Sequence, residues 1–195
     1  MTRVSSHSLA LFLILTCRLS LAGSAIQPAS VGEWSAATNG VRGRLLFGEG
    51  ERVSGTRMGV LYLELQNVSL GDTMYVYYDA SKSPFRCQLV DSAGKTNASQ
   101  GAVYDGWIPQ ACWLALPHDS TLRFCVTLGG FGVPQNGGLF VAGCIPDCWA
   151  IPPTATSDYI ISGMLVVAAP KGETRPRVWE GTLSLPRVRI PVKSP

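Results

Sequence analysis

The sequence predicts an all-β protein, a single immunoglobulin-like antiparallel β-sandwich of about eight to nine strands behind an export signal. Three observations carry this. Apolar residues recur at every second position in several short stretches, most plainly at Leu61, Leu63 and Leu65. Side chains alternate across a strand, so each such row marks one buried face. The stretches are separated by clusters of Gly, Pro, Asn, Asp and Ser that punctuate turns. Beyond the leader, no apolar row of helical period runs for a convincing length.

Residues 1–25 read as the signal peptide. Arg3 supplies the positive start, Leu9 to Thr16 the apolar stretch, and Leu21-Ala-Gly-Ser-Ala25 the small residues for a peptidase. Cleavage is placed after Ala25, with Ala22 as the alternative. A retained anchor needs about 20 apolar residues, and Arg18 cuts this run short. Leu15-Thr16 before Cys17 is a poor match to a lipoprotein signal. Residues 26–38 then read as a loose lead-in, and 39–195 as the sandwich domain.

Asn39-Gly40 is a turn signal, and Val41 to Phe47 is the first strand. Gly48 to Gly55 is a polar loop. The row Leu61, Leu63, Leu65 is followed by the polar, glycine-bearing Asn67 to Asp72. A strand from Thr73 to Tyr78 sets Met74, Val76 and Tyr78 opposite Tyr75 and Tyr77. These two half-buried strands around a short loop are the expected seed of the sandwich. Phe85 to Val90 is the next strand, and Asp91-Ser-Ala-Gly-Lys95 a tight turn. Thr96 to Gln110 is a long loop holding Tyr104, Asp105 and Trp107.

Ala111 to Leu116 is a short strand, broken at Pro117-His-Asp-Ser120 before the alternating Thr121 to Leu128. Gly129 to Gly138 is glycine-dense, without the lysine and following helix of a phosphate-binding loop. Leu139 to Ala142 is a short apolar strand, and Cys144 to Pro153 a proline-bound crossing. Asp158 to Val167 is a strand. Arg177 to Val192 closes the domain as an edge strand or two short pieces, because Pro186 and Pro191 lack amide donors.

With 195 residues and a net charge of +3, the chain suits one sizeable domain and lacks the basic excess of a nucleic-acid binder. Once Cys17 leaves with the leader, Cys87, Cys112, Cys125, Cys144 and Cys148 remain. Outside a reducing compartment these are disulfide candidates, with one left over. Parity sets Cys87 with Phe85 and Leu89, and Cys112 with Leu114 and Leu116, so both are expected inward and a Cys87–Cys112 bridge is one pairing. Cys125, opposite Leu122, Phe124 and Val126, is expected outward. Cys112–Cys125 is an alternative, and the connectivity stays open.

No catalytic residue, metal ligand or cofactor is assigned. His118-Asp-Ser120 cannot form a triad from adjacent positions and reads as a turn. Cys144-x3-Cys148 with Asp147 lacks the second ligand pair of a zinc site. Asp72, Asp79, Asp91, Asp105, Asp147 and Asp158 mostly mark turns, and their spacing does not match an EF-hand loop. Tyr75, Tyr77, Tyr104 and Trp107 form the candidate ligand face. Trp113 and Trp149 each follow a cysteine and are expected to pack in the core. The tail is basic, with Lys171, Arg175, Arg177, Arg187, Arg189 and Lys193; Arg187 and Arg189 share a face that could meet an acidic polymer or anionic envelope, and the simpler reading is that they guard an exposed edge. Asn67-Val-Ser69 and Asn97-Ala-Ser99 are glycosylation acceptors in a suitable host.

Asn39-Gly-Val-Arg42, Leu61-Tyr-Leu-Glu-Leu-Gln-Asn-Val-Ser69, Leu116-Pro-His-Asp-Ser-Thr-Leu-Arg-Phe124 and Trp179-Glu-Gly-Thr-Leu-Ser-Leu-Pro186 resemble exported, planctomycete-type bacterial proteins, a group without an assigned activity. The resemblance spans most of the mature chain and implies an exported bacterial sandwich, nothing catalytic. Leu61 to Ser69 also looks like the opening of bacterial immunoglobulin-like domains, including small proteinase-inhibitor sandwiches. The expected function is therefore a non-enzymatic binding or scaffold module of the periplasm, cell surface or medium. Its partner would be an envelope protein or polysaccharide, with no nucleic acid, and it would touch membrane only through the leader during export. The alternatives are a carbohydrate-binding module using exposed Trp and Tyr, a protease-inhibitor-like module presenting Gly129 to Gly138, and a hydrolase using loop carboxylates or His118.

Overall fold

The computed structural model describes residues 27–82, 84–100, 111–126, 137–143 and 147–192. The segment read as a signal peptide, Tyr104, Asp105, Trp107, Cys144 and most of Gly129 to Gly138 lie outside the described residues. The described chain is all-β, with thirteen strands and one 3-10 turn at Ala80–Lys82. The strands are β1 (Ser30–Val31), β2 (Val41–Glu49), β3 (Arg57–Asn67), β4 (Met74–Tyr78), β5 (Phe85–Val90), β6 (Thr96–Asn97), β7 (Cys112–Leu116), β8 (Thr121–Cys125), β9 (Leu139–Ala142), β10 (Cys148–Ile151), β11 (Tyr159–Val167), β12 (Val178–Trp179) and β13 (Gly181–Ile190).

They form three sheets. The largest runs β1-β2-β3-β9-β10, with β8 also paired to β3; the second runs β13-β11-β5-β6, and the third β12-β4-β7. Strand β3 is the spine of the first. Along one edge it pairs antiparallel with β2, from Val41↔Asn67 to Glu49↔Gly59. Arg57 to Val60 pair with β9, and Tyr62 to Gln66 pair with β8. The two-residue period puts Leu61, Leu63 and Leu65 on one face, each at most 1% exposed. They stand beside Phe47, Leu45 and Gly43 of β2. Leu63 and Leu65 also stand beside Phe124 and Leu122 of β8. Val76, Phe85, Leu89, Leu116, Ile161, Leu165 and Trp179, from the other two sheets, join them in one continuous core.

Close approach fixes one glycine. A Cβ on Gly59 would lie 2.7 Å from the Phe47 ring and 3.1 Å from Val141 Cγ2. The ring of β2 and the edge of β9 therefore meet over a bare backbone.

Several expectations are corrected. The strands number thirteen, not eight or nine, because β1, β6 and β12 are two-residue pieces and β10 carries no alternation. Phe140, Ala142 and Cys148 bury the opposite face of β9 and β10 in a second small cluster, and a strand covered on both sides reads as a plain apolar run. The pairing is not wholly antiparallel: β3 with β9 and β12 with β4 are parallel. Strands β3 and β4 are not a hairpin but belong to different sheets. Asn67, fully buried, sets this crossing. Its amide nitrogen donates to the Asp72 and Leu116 carbonyls, and its side-chain oxygen accepts from Ser69. That commitment also removes Asn67 as a glycosylation acceptor in the folded chain.

The lead-in is docked, not loose: β1 pairs with β2, and Gly32 and Ser35 donate their amides to Leu45 and Gly43. The closing segment holds an edge strand, as expected, since β13 ends its sheet; it is parted from β12 at Glu180, just before Gly181 with φ 154°, and not at a proline. Pro186 instead sits in a bulge of β13, where Ile161↔Val188 gives way to Gly163↔Leu185. The inward parity therefore changes from Leu183 and Leu185 to Val188 and Ile190, leaving Arg187 and Arg189 outward.

Replacing Leu63 by alanine removes a fully buried side chain from the middle of the spine. The expected loss is about 2–5 kcal/mol of unfolding free energy, read from the urea midpoint at constant m-value. A loss below about 0.5 kcal/mol would mean that this position is not core.

Candidate functional site

The three-stranded sheet β12-β4-β7 presents one face to the core and one outward. Met74, Val76, Leu114 and Leu116 take the inner face, with Val76 and Leu116 each 1% exposed. Tyr75 and Tyr77 alternate onto the other, as their parity requires. Directly across from Tyr77 in the register stands Trp113 of β7. The two rings are 5.0 Å apart at 54°, within the range where aromatic pairs attract beyond simple burial.

Cations complete this face. The Arg175 guanidinium lies 4.2 Å from the Trp113 ring centre and 5.3 Å from that of Tyr75. Lys82 Nζ lies 5.8 Å from the Tyr77 ring centre. Both belong to the cation–π range, worth about 0.5–1 kcal/mol at exposed sites. Arg175 arrives here because Glu173 accepts hydrogen bonds from the Thr174 and Arg175 amides, which curls the loop ahead of β12. Beside Tyr77, an open cleft of about 260 Å³ is lined by Tyr77, Asp79, Lys82, Arg86 and the end of β11. The Ser81 hydroxyl bonds to Asp79 and Lys82 pairs with it, which holds the Asp79 carboxyl below its ordinary pKa.

Of the expected ligand face, the structure thus brings Tyr75 and Tyr77 together, while Tyr104 and Trp107 lie outside the described residues. It adds Trp113, which was expected in the core. The parity signal was present: Trp113 alternates with Cys112 and Leu114, so an inward leucine row sends it outward. Trp149 does belong to the core, 3% exposed, with its indole N–H donating to the Asn97 carbonyl.

The cysteines do not assemble as expected. No disulfide joins the described cysteines. Cys87 is partly buried against the core, as its parity predicts, but Cys112, expected inward, is exposed. Cys125 faces outward, as its parity predicts. Burial pushes the Cys148 thiol above its ordinary pKa, and the Asp147 carboxylate adds to this, the reverse of what activates a nucleophile.

Pro117 to Ser120 folds as a turn: the Ser120 amide and hydroxyl both bond to the Pro117 carbonyl, and Asp119 takes φ 54°. His118 lines an open groove with Tyr75, Asp72 and Arg177, the last two ion-paired at 2.7 Å. The described carboxylates are dispersed. Asp91 caps its own turn, accepting the Ala93 and Lys95 amides, and Asp158 pairs with Arg189. Among the described residues, no group of three or more His, Cys, Asp or Glu could hold a metal ion.

A second polar cluster lies on the outer face of the large sheet. Glu64, 4% exposed, accepts from Arg44 at 2.6 Å and Arg123 at 2.7 Å. Arg44 and Arg42 both stack over Trp34. Compared with known proteins, the chain matches no family model, no curated protein and no solved structure.

Burial opposes the Glu64 charge, but the hydrogen bonds and charges of Arg44 and Arg123 outweigh it and lower its pKa. A carboxylate depressed on folding stabilises above its unfolded pKa, and that contribution is lost as pH falls through the folded value. Glu64→Gln is therefore expected to cost about 1–3 kcal/mol at pH 7. The gap from wild type should shrink as pH drops below about 4, read from urea midpoints. A gap constant from pH 7 to pH 3 would contradict the assignment.

Proposed function

We propose that this protein is an exported, non-catalytic binding module of the immunoglobulin-like sandwich type, acting in the periplasm or at the cell surface. Its partner lies across the face of Tyr75, Tyr77 and Trp113. One observation carries the reading. Three aromatic rings gather on the outward side of a sheet whose inward side already holds its apolar quota. Large rings left outside the core favour contact with something else. The leader supports export, and a core shared by three sheets supports a sandwich-like body.

The face favours a polysaccharide partner. Same-side positions on a strand repeat about every 7 Å, and the C–H faces of sugar rings pack on aromatic rings.

Affinity electrophoresis over a panel of neutral and acidic polysaccharides tests this. At least one polymer should retard the wild-type chain, and Trp113→Ala should weaken that retardation about tenfold or more, a loss of at least ~1.4 kcal/mol. The thermal midpoint should move little, because Trp113 lies outside the core. Absence of retardation, or equal retardation of the variant, would overturn the proposal.

A further inference from the structure

We infer that the ligand of this face is an acidic polysaccharide, whose carboxylate or sulfate groups are read by Arg175 and, at the adjoining cleft, by Arg86 and Lys82. The inference rests on the binding-face reading and adds the charge of the ligand to it.

The argument begins with Arg175. Its guanidinium lies against two aromatic rings, at 4.2 Å and 5.3 Å. A guanidinium has five N–H donors, and contact with ring faces does not use them up. Among the described residues, no hydrogen bond or ion pair engages those donors. Glu173, the nearest carboxylate in sequence, is committed to backbone amides. An arginine held in place with its fork unspent suits bidentate capture of a carboxylate or sulfate.

The cleft beside Tyr77 repeats the pattern. Arg86 is exposed there, also with no ion pair among the described residues, and Lys82 shares it with the single carboxylate of Asp79. Cations thus flank the Tyr75, Tyr77 and Trp113 rings, one over Trp113 and two beside Tyr77. Aromatic surface with a cation at either end matches a stiff chain of sugar rings carrying repeated negative charge. An acidic peptide would be expected to add to a sheet edge or to seat a side chain in an apolar groove. Arg175 stands instead over rings of β4 and β7 on the sheet face, and Lys82 and Arg86 flank the cleft beside Tyr77.

The test uses the full mature chain with polygalacturonate and with the same polymer after carboxyl reduction, which keeps the sugar backbone and removes the charge. Binding to polygalacturonate should be about tenfold tighter or more, and should weaken with added salt. Arg175→Ala should lose about tenfold. Arg175→Lys should recover little, because a point charge does not reproduce the fork. Arg187→Ala, which removes an exposed cation from a different sheet, should bind as the wild type.

Equal affinity for the reduced polymer, still dependent on Trp113, would overturn the charge inference and leave the binding face standing. Equal losses in Arg175→Ala and Arg187→Ala would reduce the effect to nonspecific basicity and overturn it as well. Tighter binding of polyglutamate than of polygalacturonate would assign the face to an acidic peptide. No binding to any polymer would overturn both readings.

Discussion

The leucine row of β3 is the constraint on which the other features depend. With side chains alternating at a period of two, Leu61, Leu63 and Leu65 point one way and Tyr62, Glu64 and Gln66 the other. A slip of one residue would bury Glu64 in the core and expose the leucines. Three strands take their register from this one. Strand β2 pairs along one edge, while β9 and β8 follow each other along the opposite edge. The position of Phe47 over Gly59 follows from the same register, as does the reach of Arg44 and Arg123 to Glu64 from either side.

The outward half of the alternation carries the polar surface and the proposed binding face. On the large sheet it gives a clamped carboxylate, a buried charge kept ionised by two arginines. On the small sheet it gives Tyr75 and Tyr77, joined by Trp113 across the ladder. The two faces differ in how far their charges are satisfied. Glu64 has two partners within 2.7 Å, whereas Arg175 has rings beneath it and no carboxylate among the described residues. A satisfied cluster holds a sheet together; a cation over aromatic rings, with no ion pair among the described residues, is the feature on which the proposed binding face rests.

Much of this was legible in the sequence, and the reasons for the rest are physical. The bounds of β5 and β9 coincide with the sequence reading because strong breakers flank both. Strand β10 was hidden because Cys148 and Trp149 are buried on opposite faces, so no alternation survives. β1, β6 and β12 are too short for any period to show. The crossing from β3 to β4 looked like a hairpin loop because Asn67 is a common turn former; its side-chain bonds to Leu116 and Asp72 are visible only in three dimensions. The cysteine beside Trp113 suggests core packing, whereas its parity against Leu114 and Leu116 sends it outward. Arg175 was invisible as part of the site, since its contacts span 62 positions of sequence to Trp113 and 100 to Tyr75.

The most direct test of the central role of β3 is native-state hydrogen exchange along that strand. If β3 is the spine, the amides of Leu61 to Leu65 exchange only through global unfolding, with opening free energies equal to the stability measured in denaturant. Opening of these amides well below that value, while those of β11 and β13 stay protected, would show that the fold is organised around another strand.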